Sequence, residues 1–438
     1  MKYFIMNLGC QMNQADSERI QSVLETMGLV KTEMEAEASV LGVVACSVRQ
    51  KAIDKVHSKI HEWNERKQGQ NLLTFLSGCI LPADEDAFLR KFDVVFPIKD
   101  LSHVPELLRG SGIVTPLSQA PQPDATGMEH FWNVKPQYSS TFEAFVPIQN
   151  GCDKFCTFCA VPYTRGREVS RPSQAILEEV RNLVDRGYKS ITLLGQNVNS
   201  YGLDKPGVEC SFTELLREIG EYGKTSGRKF WVYFTSPHPR DMGRDVLETV
   251  ARYEVLAKHI HLPLQSGDDK VLIRMNRNHS MDRYRTIVHE VRELLPDATL
   301  ITDIIVGFTG ETEEQFENTR LAMREFGYQM AFVAPYSPRP GAASARWSDD
   351  VPLPKKKERL RVLTEELHLS SLAYNQRLVG SKLRVLVERS DRKEGYLAAR
   401  TEGKIPIRFA STDLTLVGQF AEVLVESVRP LSMEGQLL

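Results

Sequence analysis

Along the first third of the chain, short apolar or β-branched runs alternate with longer stretches of helical periodicity. The pattern predicts strands at Tyr3–Leu8, Ser39–Ala45 and Leu72–Leu76, with helices at Ala15–Met27 and Arg49–Glu65 between them. Successive strand ends stand 36 and 33 residues apart. That is room for a crossover helix, so parallel βαβ packing is the natural reading. Each strand runs directly into a cysteine: Leu8-Gly-Cys10, Ala45-Cys46 and Gly78-Cys79. In an open α/β sheet the carboxyl ends of parallel strands share one edge, where ligand sites form. Three cysteines far apart in sequence are therefore expected to meet.

Between Gly110 and Gln137 the periodicity stops, and Pro116, Pro121, Pro123 and Pro136 stand among Gly, Ser, Gln and Thr, which reads as a linker and a domain boundary. A second alternation follows. Strands are expected at Ala144–Gln149, Ser190–Leu194, Phe230–Thr235, Lys258–Leu264, Thr299–Val306 and Met330–Pro335. Helices fill the gaps at Ser173–Arg186, Phe212–Tyr222, Arg244–Tyr253, Met281–Leu294 and Glu311–Phe326. Six βα units point to a parallel sheet, curled or closed as a barrel, whose active edge is again the strand carboxyl ends. A Lys-rich helical segment, Pro354–Arg377, leads into short strands at Lys382–Glu388, Gly395–Arg400, Ile405–Phe409 and Ala421–Val428, the pattern of a small β-barrel. The expected domains are 1–117, 138–368 and 376–438.

Composition narrows the class. Of 438 residues, 42% are hydrophobic and 26% charged, which excludes low-complexity and collagen-like chains. The longest apolar stretch, Ala38–Val48, is far short of a spanning helix. The N-terminus lacks the apolar run and cleavage site of a signal peptide. No membrane association and a cytoplasmic address are expected. Fifty-five Lys+Arg against 57 Asp+Glu leave a net charge of -2, so any nucleic-acid binding must be local. The balance is uneven: residues 355–438 carry +4 and residues 1–354 carry -6. Seven cysteines, an odd number, suit metal, cluster or catalytic use better than a disulfide framework.

The strongest chemical signal is Gln149-Asn-Gly-Cys-Asp-Lys-Phe-Cys-Thr-Phe-Cys159, a Cys-x3-Cys-x2-Cys run directly after a strand. Three thiolates on one loop can hold three irons of a [4Fe-4S] cluster and leave the fourth open to a substrate or cofactor. Structural zinc would need a fourth Cys or His. No fourth Cys lies near, although His residues elsewhere leave zinc or buried free thiols as the alternative. The run resembles the radical S-adenosylmethionine (SAM) signature. Its continuation through Cys159-Ala-Val-Pro-Tyr-Thr-Arg-Gly-Arg-Glu-Val-Ser-Arg-Pro172, together with the three N-terminal cysteines, resembles the radical SAM methylthiotransferases over essentially the whole chain.

That resemblance implies a Rossmann-like N-terminal domain with an auxiliary cluster, a central radical SAM partial (β/α)6 barrel, and a C-terminal RNA-binding TRAM β-barrel. It implies two [4Fe-4S] clusters, one on Cys152, Cys156 and Cys159, where SAM is cleaved, and one on Cys10, Cys46 and Cys79. By similarity, Gln196, Ser236, Gln265 and Ser266 are expected contacts to SAM or substrate, with Val306 and Gly307 flanking the adenine. Cys210 matches no motif position and reads as a free thiol. His238 and Arg240 are further candidates, with Asp241 the expected helix cap. Tyr163-Thr-Arg-Gly-Arg-Glu-Val-Ser-Arg171 sets three arginines beside the loop, as phosphate or carboxylate recognition would, or as a salt-bridging loop with Glu168.

The run Lys355-Lys-Lys-Glu-Arg-Leu-Arg361 and the barrel cations Lys382, Arg384, Arg389, Arg392, Lys393, Arg400, Lys404 and Arg408 read as an RNA-backbone surface, with Tyr396 and Phe409 the few stacking candidates. This segment is expected to be separable from the cluster chemistry. One departure from the family pattern, Ala399 in place of Gly before Arg400, is small enough for the strand to survive.

Phe234-Thr-Ser-Pro-His-Pro-Arg-Asp-Met242, Lys258-His-Ile-His-Leu-Pro-Leu-Gln-Ser-Gly267, Met275-Asn-Arg-Asn278 and Tyr336-Ser-Pro-Arg-Pro-Gly341 are similar to the MiaB family. The implied reaction adds a methylthio group to carbon 2 of N6-isopentenyladenosine beside the anticodon. The alternatives are threonylcarbamoyladenosine of tRNA or an aspartate of a ribosomal protein. Implied partners are the tRNA anticodon stem-loop and an electron donor such as flavodoxin or ferredoxin, with the chain a monomer. A cluster-carrying sulfur-delivery or RNA-binding protein without SAM chemistry is the other-class alternative.

Overall fold

The computed structural model describes residues 1–46, 50–113 and 127–438. Pro116, Pro121 and Pro123 of the expected linker, Val48 and Arg49, and the boundary at 117 lie outside them.

β1 (Lys2–Leu8), β2 (Val30–Lys31), β3 (Val40–Cys46), β4 (Leu73–Cys79) and β5 (Val94–Val95) form one sheet in the order β2-β1-β3-β4-β5, with every pairing parallel. β3 and β4 are buried along their whole length, as continuous apolar strands covered on both faces should be. The crossover helices are Gln11–Thr26 and Gln50–Arg66. The two-residue edge strands were not anticipated, because so short a run carries no period. A helix at Gly127–Asn133 stands inside the stretch read as linker. Its Phe131 and Trp132 are buried in the core of the first sheet, so that part of the stretch is structure rather than tether.

The central region holds β6 (Glu143–Pro147), β7 (Gln149–Asn150), β8 (Val169–Ser170), β9 (Ser190–Leu194), β10 (Trp231–Phe234), β11 (His259–His261), β12 (Thr299–Val306) and β13 (Met330–Pro335). Two parallel triplets, β10-β9-β6 and β11-β12-β13, make the wall. Among the described residues a single bridge joins them: Val232 donates to Val255 O at 2.7 Å and accepts from Ala257 N–H at 3.0 Å. The result is a curled six-strand arc rather than a closed barrel, with no pairing between β6 and β13 among the described residues. The first domain's Gln11–Thr26 helix packs against this arc, where Met12 and Ala15 meet Phe145 and Leu194.

The helix Leu353–Gln376 leads into β14 (Lys382–Ser390), β15 (Tyr396–Thr401), β16 (Pro406–Ala410), β17 (Phe420–Arg429) and β18 (Ser432–Leu437), a closed barrel. The fifth strand was missed because Glu434, Gly435 and Gln436 mute its apolar signal. Ala399 sits in β15, buried, and pairs with both Val387 and Ile407, so the strand survives. No described helix is long and apolar enough to cross a membrane.

Candidate active site

The strand-end cysteines do meet. Cys46 and Cys79 are register partners at the ends of β3 and β4, and Cys10 caps the Gln11–Thr26 helix just past β1. Asn13 organises the group. Its Oδ1 accepts from Cys10 N–H at 3.2 Å and Cys10 Sγ at 3.4 Å. Its amide donates to Ala45 O at 3.3 Å and reaches Cys79 Sγ at 3.7 Å. Gly78 is required here: its φ is +108°, and a Cβ would stand 2.4 Å from Ala45 O.

The second triad is made locally. β7 pairs antiparallel with β8 and closes residues 151–168 into one loop. Gly151, at φ +82°, lets Arg167 O approach to 2.0 Å from where a Cβ would be. Met275-Asn-Arg-Asn278, read beforehand only as a family motif, clamps the loop. Thr157 N–H donates to Met275 O at 3.0 Å, the Asn276 amide donates to Phe155 O at 3.0 Å, and Arg277 reaches Cys156 Sγ at 3.5 Å. Burial pushes the Cys152 thiol up to about 11 and Cys159 up to about 12, and neighbouring thiols add to both shifts. Cys79 is raised by its hydrogen bond with Cys46 and then by burial, and Cys10 by burial and then Cys79.

Buried thiols that resist ionisation next to one another become good ligands only where positive metal charge reverses the balance. Among the described residues, no three His, Cys, Asp or Glu converge as ligands of a single metal ion do. A four-iron cluster is held by cysteine thiolates, and three of them leave one iron without a protein ligand. Two sets of three thiols, each with an arginine at one sulfur, fit such a cluster with one iron left open.

Arg165 ties the two sites together. It ends the short helix Val161–Arg165 that follows Cys159, and it donates through Nε to Cys79 Sγ at 3.0 Å. Its Nη2 pairs with the fully buried Asp16, and its Nη1 donates to Asn150 Oδ1 at 3.0 Å. Burial opposes the charge, but Asp16 and the Cys79 thiol outweigh it and raise the guanidinium pKa. The three arginines are thus salt-bridging, as the alternative to phosphate or carboxylate recognition had it, but with Asp16, Asp153 and Glu179 rather than Glu168. Arg171 is buried against Glu179, which also faces the buried Arg19 of the first domain, and Arg167 pairs with Asp153.

A cavity of about 1760 Å³ runs from Cys10, Cys46 and Cys79 through the interior of the arc to the C-terminal barrel. Gln196, Ser236 and Gln265 line it. Gln196 Oε1 is buried without a partner among the described residues, and Ser236 and Gln265 hold φ of 59° and 72°, turning the chain at the strand ends. The cysteine loop presents Phe158 and Val161; its three cysteines are not part of the lining.

Three expected contacts lie off the cavity. Ser266 is fully buried, and its hydroxyl is engaged with Thr319 and with the Asp268 N–H. Val306 belongs to the hydrophobic core. Gly307 donates to Glu311 at 2.6 Å and packs on the Lys356 chain. Sequence position at a strand end did not say which way each side chain faces.

His238 accepts on Nδ1 from Arg240 N–H at 3.1 Å, and burial, then Arg277, lowers its pKa. Asp241 caps no α-helix; Gly243 does, and the Asp241 carboxylate holds Lys154, Arg240 and Asn197. Cys210 is half-buried against the core, outside the cavity.

Sequence reasoning missed His261 and Asp303, both on the cavity wall and 2.6 Å apart. Ser236 N–H donates to His261 Nδ1 at 3.3 Å, so Nε2 carries the proton given to Asp303. Their strands were read correctly, and the period-2 alternation Ile301, Asp303, Ile305 was the available signal.

The floor of the cavity is a second surprise. The turn between β15 and β16 docks where β11 and β12 begin. Gly403 O accepts from Thr299 Oγ1 at 3.0 Å and lies 3.1 Å from His259 Nδ1, and Glu402 accepts from Lys258 N–H at 2.9 Å. Lys404 faces the Tyr233 ring at 4.1 Å, and burial lowers its pKa to about 8. Lys404 therefore leaves the expected RNA surface. Arg384, Arg400, Arg408 and Lys393 are ion-paired with Glu254, Glu388 and Glu434.

Residues 146–322 match the Radical SAM superfamily, 2–97 the Uncharacterized protein family UPF0004, and 376–438 the TRAM domain. The fold is similar to a radical S-adenosylmethionine methyltransferase, TsrM, of Kitasatospora setae. The TM-score is 0.56 at 12% identity, over 78% of this chain and 73% of that one. A tRNA-2-methylthio-N(6)-dimethylallyladenosine synthase of Pseudomonas aeruginosa is 37% identical, with all of this chain and 98% of that protein aligned. One of Chromobacterium violaceum is 38% identical over the same shares. Aligned end to end at this identity, the chain belongs to the tRNA-2-methylthio-N(6)-dimethylallyladenosine synthase family, the MiaB family of methylthiotransferases.

Proposed function

We propose that this protein is a radical SAM methylthiotransferase that adds a methylthio group to carbon 2 of N6-isopentenyladenosine next to the tRNA anticodon. The observation that carries the reading is one cavity walled by the Cys10, Cys46 and Cys79 edge and by the arc beside the cysteine loop, bridged by Arg165. In this reading Cys152, Cys156 and Cys159 hold one [4Fe-4S] cluster, and Cys10, Cys46 and Cys79 hold the other. When bound, the first with SAM supplies the one-electron chemistry that an unactivated C–H bond demands, and the second carries the sulfur. Arg165 and Arg277 offset negative charge at the two sites. Gln196, Ser236 and Gln265 orient what enters between them, and the docked β15–β16 turn keeps water from the floor.

Domain limits of 1–117, 138–368 and 376–438 accompany this proposal, as do tRNA as the partner, an electron donor of the flavodoxin or ferredoxin kind, action as a monomer, and a cytoplasmic setting where tRNA is modified. The test is competition among isopentenylated tRNA, threonylcarbamoylated tRNA and the ribosomal-protein peptide on the anaerobically reconstituted protein. Preferential turnover of the first is expected, and preference for either of the others overturns the substrate assignment. Mass spectrometry of tRNA nucleosides from cells lacking the protein gives the same answer in vivo.

A further inference from the structure

β13 is the last strand of the arc and pairs only with β12 among the described strands, so one lip of the cavity is a free edge. Its side chains do not treat that edge as a core. Phe332 is 56% exposed, and Ala334 is exposed as well, although both line the cavity. Leaving a phenyl ring half in water forfeits much of its burial energy, and nothing in the packing of this strand requires it. Beside it on β12, Asp303 is the register partner of Phe332 and lines the same cavity. The Asp303 side chain is 36% exposed, and Oδ2 takes the hydrogen bond from His261 at 2.6 Å. Its other oxygen, Oδ1, meets no donor among the described residues. An open aromatic face therefore stands next to a carboxylate oxygen held in place by its neighbour and open to a donor from the cavity.

We propose that Phe332 and Asp303 form the subsite for the unstacked purine of the RNA substrate, the ring lying on Phe332 and its exocyclic N–H donating to Asp303 Oδ1. This deepens the methylthiotransferase reading and rests on it. An aromatic face accepts any base, but a fixed acceptor discriminates. An N6-alkylated adenine keeps one N–H, which matches the single open oxygen, whereas a base with a carbonyl at that position meets two acceptors face to face. His261 is a positioning residue: with Nδ1 held by the Ser236 N–H, it fixes which Asp303 oxygen remains free.

The experiment is equilibrium binding of three anticodon stem-loop RNAs to the reconstituted full-length protein, one isopentenylated, one abasic and one carrying inosine at the target position. Phe332→Ala is expected to weaken the first roughly ten- to hundredfold, the range one base–aromatic stack carries, and to leave the second unchanged. Phe332→Leu, which keeps apolar bulk without a π face, should behave as Phe332→Ala does, and Phe332→Tyr should restore binding. For Asp303→Ala, the preference for isopentenyladenosine over inosine at the target position should collapse. Equal losses on the isopentenylated and abasic RNAs reduce Phe332 to a structural residue and overturn the proposal. So does unchanged RNA binding, or a loss of SAM binding instead, which would make this the SAM adenine's place. Wild-type protein that fails to methylthiolate the isopentenylated RNA refutes the function reading itself; wild-type turnover with RNA binding indifferent to Phe332 refutes the subsite alone.

Discussion

The two cysteine triads do the same coordination work by opposite constructions. Cys152, Cys156 and Cys159 occupy one loop, pinched shut by a two-residue ladder and clamped by residues 275–278. Cys10, Cys46 and Cys79 have no local relation at all and exist as a site only because three parallel strands end on one edge. The loop brings Phe158 and Val161 rather than its cysteines to the cavity lining, while the strand-end triad forms part of the wall. A site that starts a reaction gains from a rigid, self-contained loop; a site that hands over a group gains from standing open to the chamber.

Removing one triad should therefore do something different from removing the other. Replacing Cys152, Cys156 and Cys159 together by Ala is expected to bring 5′-deoxyadenosine formation to background. Bound iron should fall from about eight to about four per chain, as two four-iron clusters require. Four irons in the unaltered protein would dissolve the comparison outright. Cys46→Ala is the sharper cut. Methylthio product should vanish while 5′-deoxyadenosine is still made, and loss of both with the loop cluster's spectrum intact would show that the sites do not divide the work.

Between them stands Arg165, and its removal tests whether the two constructions are one unit. Arg165→Ala leaves Asp16 buried without its partner, a loss of about 3–5 kcal/mol for a broken buried pair. A urea midpoint that hardly moves would mean that the N-terminal domain and the loop are coupled by something else. Arg165→Met, which removes the charge and keeps the stem, should be nearly as damaging because Asp16 is still stranded.

The contrast also explains what was legible beforehand. The loop triad could be read from spacing, since its neighbours in space are its neighbours in sequence. The strand-end triad could be read because each cysteine follows an apolar run, so that topology alone brings the three together. What escaped was direction and docking. Val306 and Ser266 sit at strand ends like Gln265 but face the core, and Asp303 sits mid-strand yet faces the cavity. Nor does any periodicity say that the turn at Gly403 closes the arc.

The expected separability of residues 355–438 fails for the same reason. Lys356 donates to Tyr336 O at 3.0 Å, Arg359 bonds the buried Glu311 at 2.6 Å, and Trp231 meets Phe420 with ring centroids 4.5 Å apart. Deleting the whole segment would strip a buried carboxylate of its counter-charge and uncover an aromatic patch. It should unfold the arc rather than merely release RNA, and a deletion variant with normal SAM cleavage and a native melting curve would contradict this.

The smallest effect concerns the remaining basic surface. With most cations of the C-terminal barrel committed to internal carboxylates, the exposed ones without an ion pair among the described residues are Lys382, Arg392 and Arg429, together with Lys357 on the preceding helix. Each phosphate contact contributes about one to the slope of log affinity against log salt. Arg392→Gln should therefore flatten that slope by about one for tRNA and weaken binding by a few-fold at moderate salt. Arg408→Gln, whose charge is already spent on Glu434 at 2.7 Å, should change the slope little. Glu434 keeps Lys393 at 3.1 Å, and a surface pair of this kind is worth about 1 kcal/mol or less. Titrating both variants across salt separates the two kinds of arginine. If Arg408→Gln flattened the slope as much as Arg392→Gln does, the internal pair would have to open on RNA binding, and a count of unpaired cations would no longer mark the RNA-facing side of this barrel.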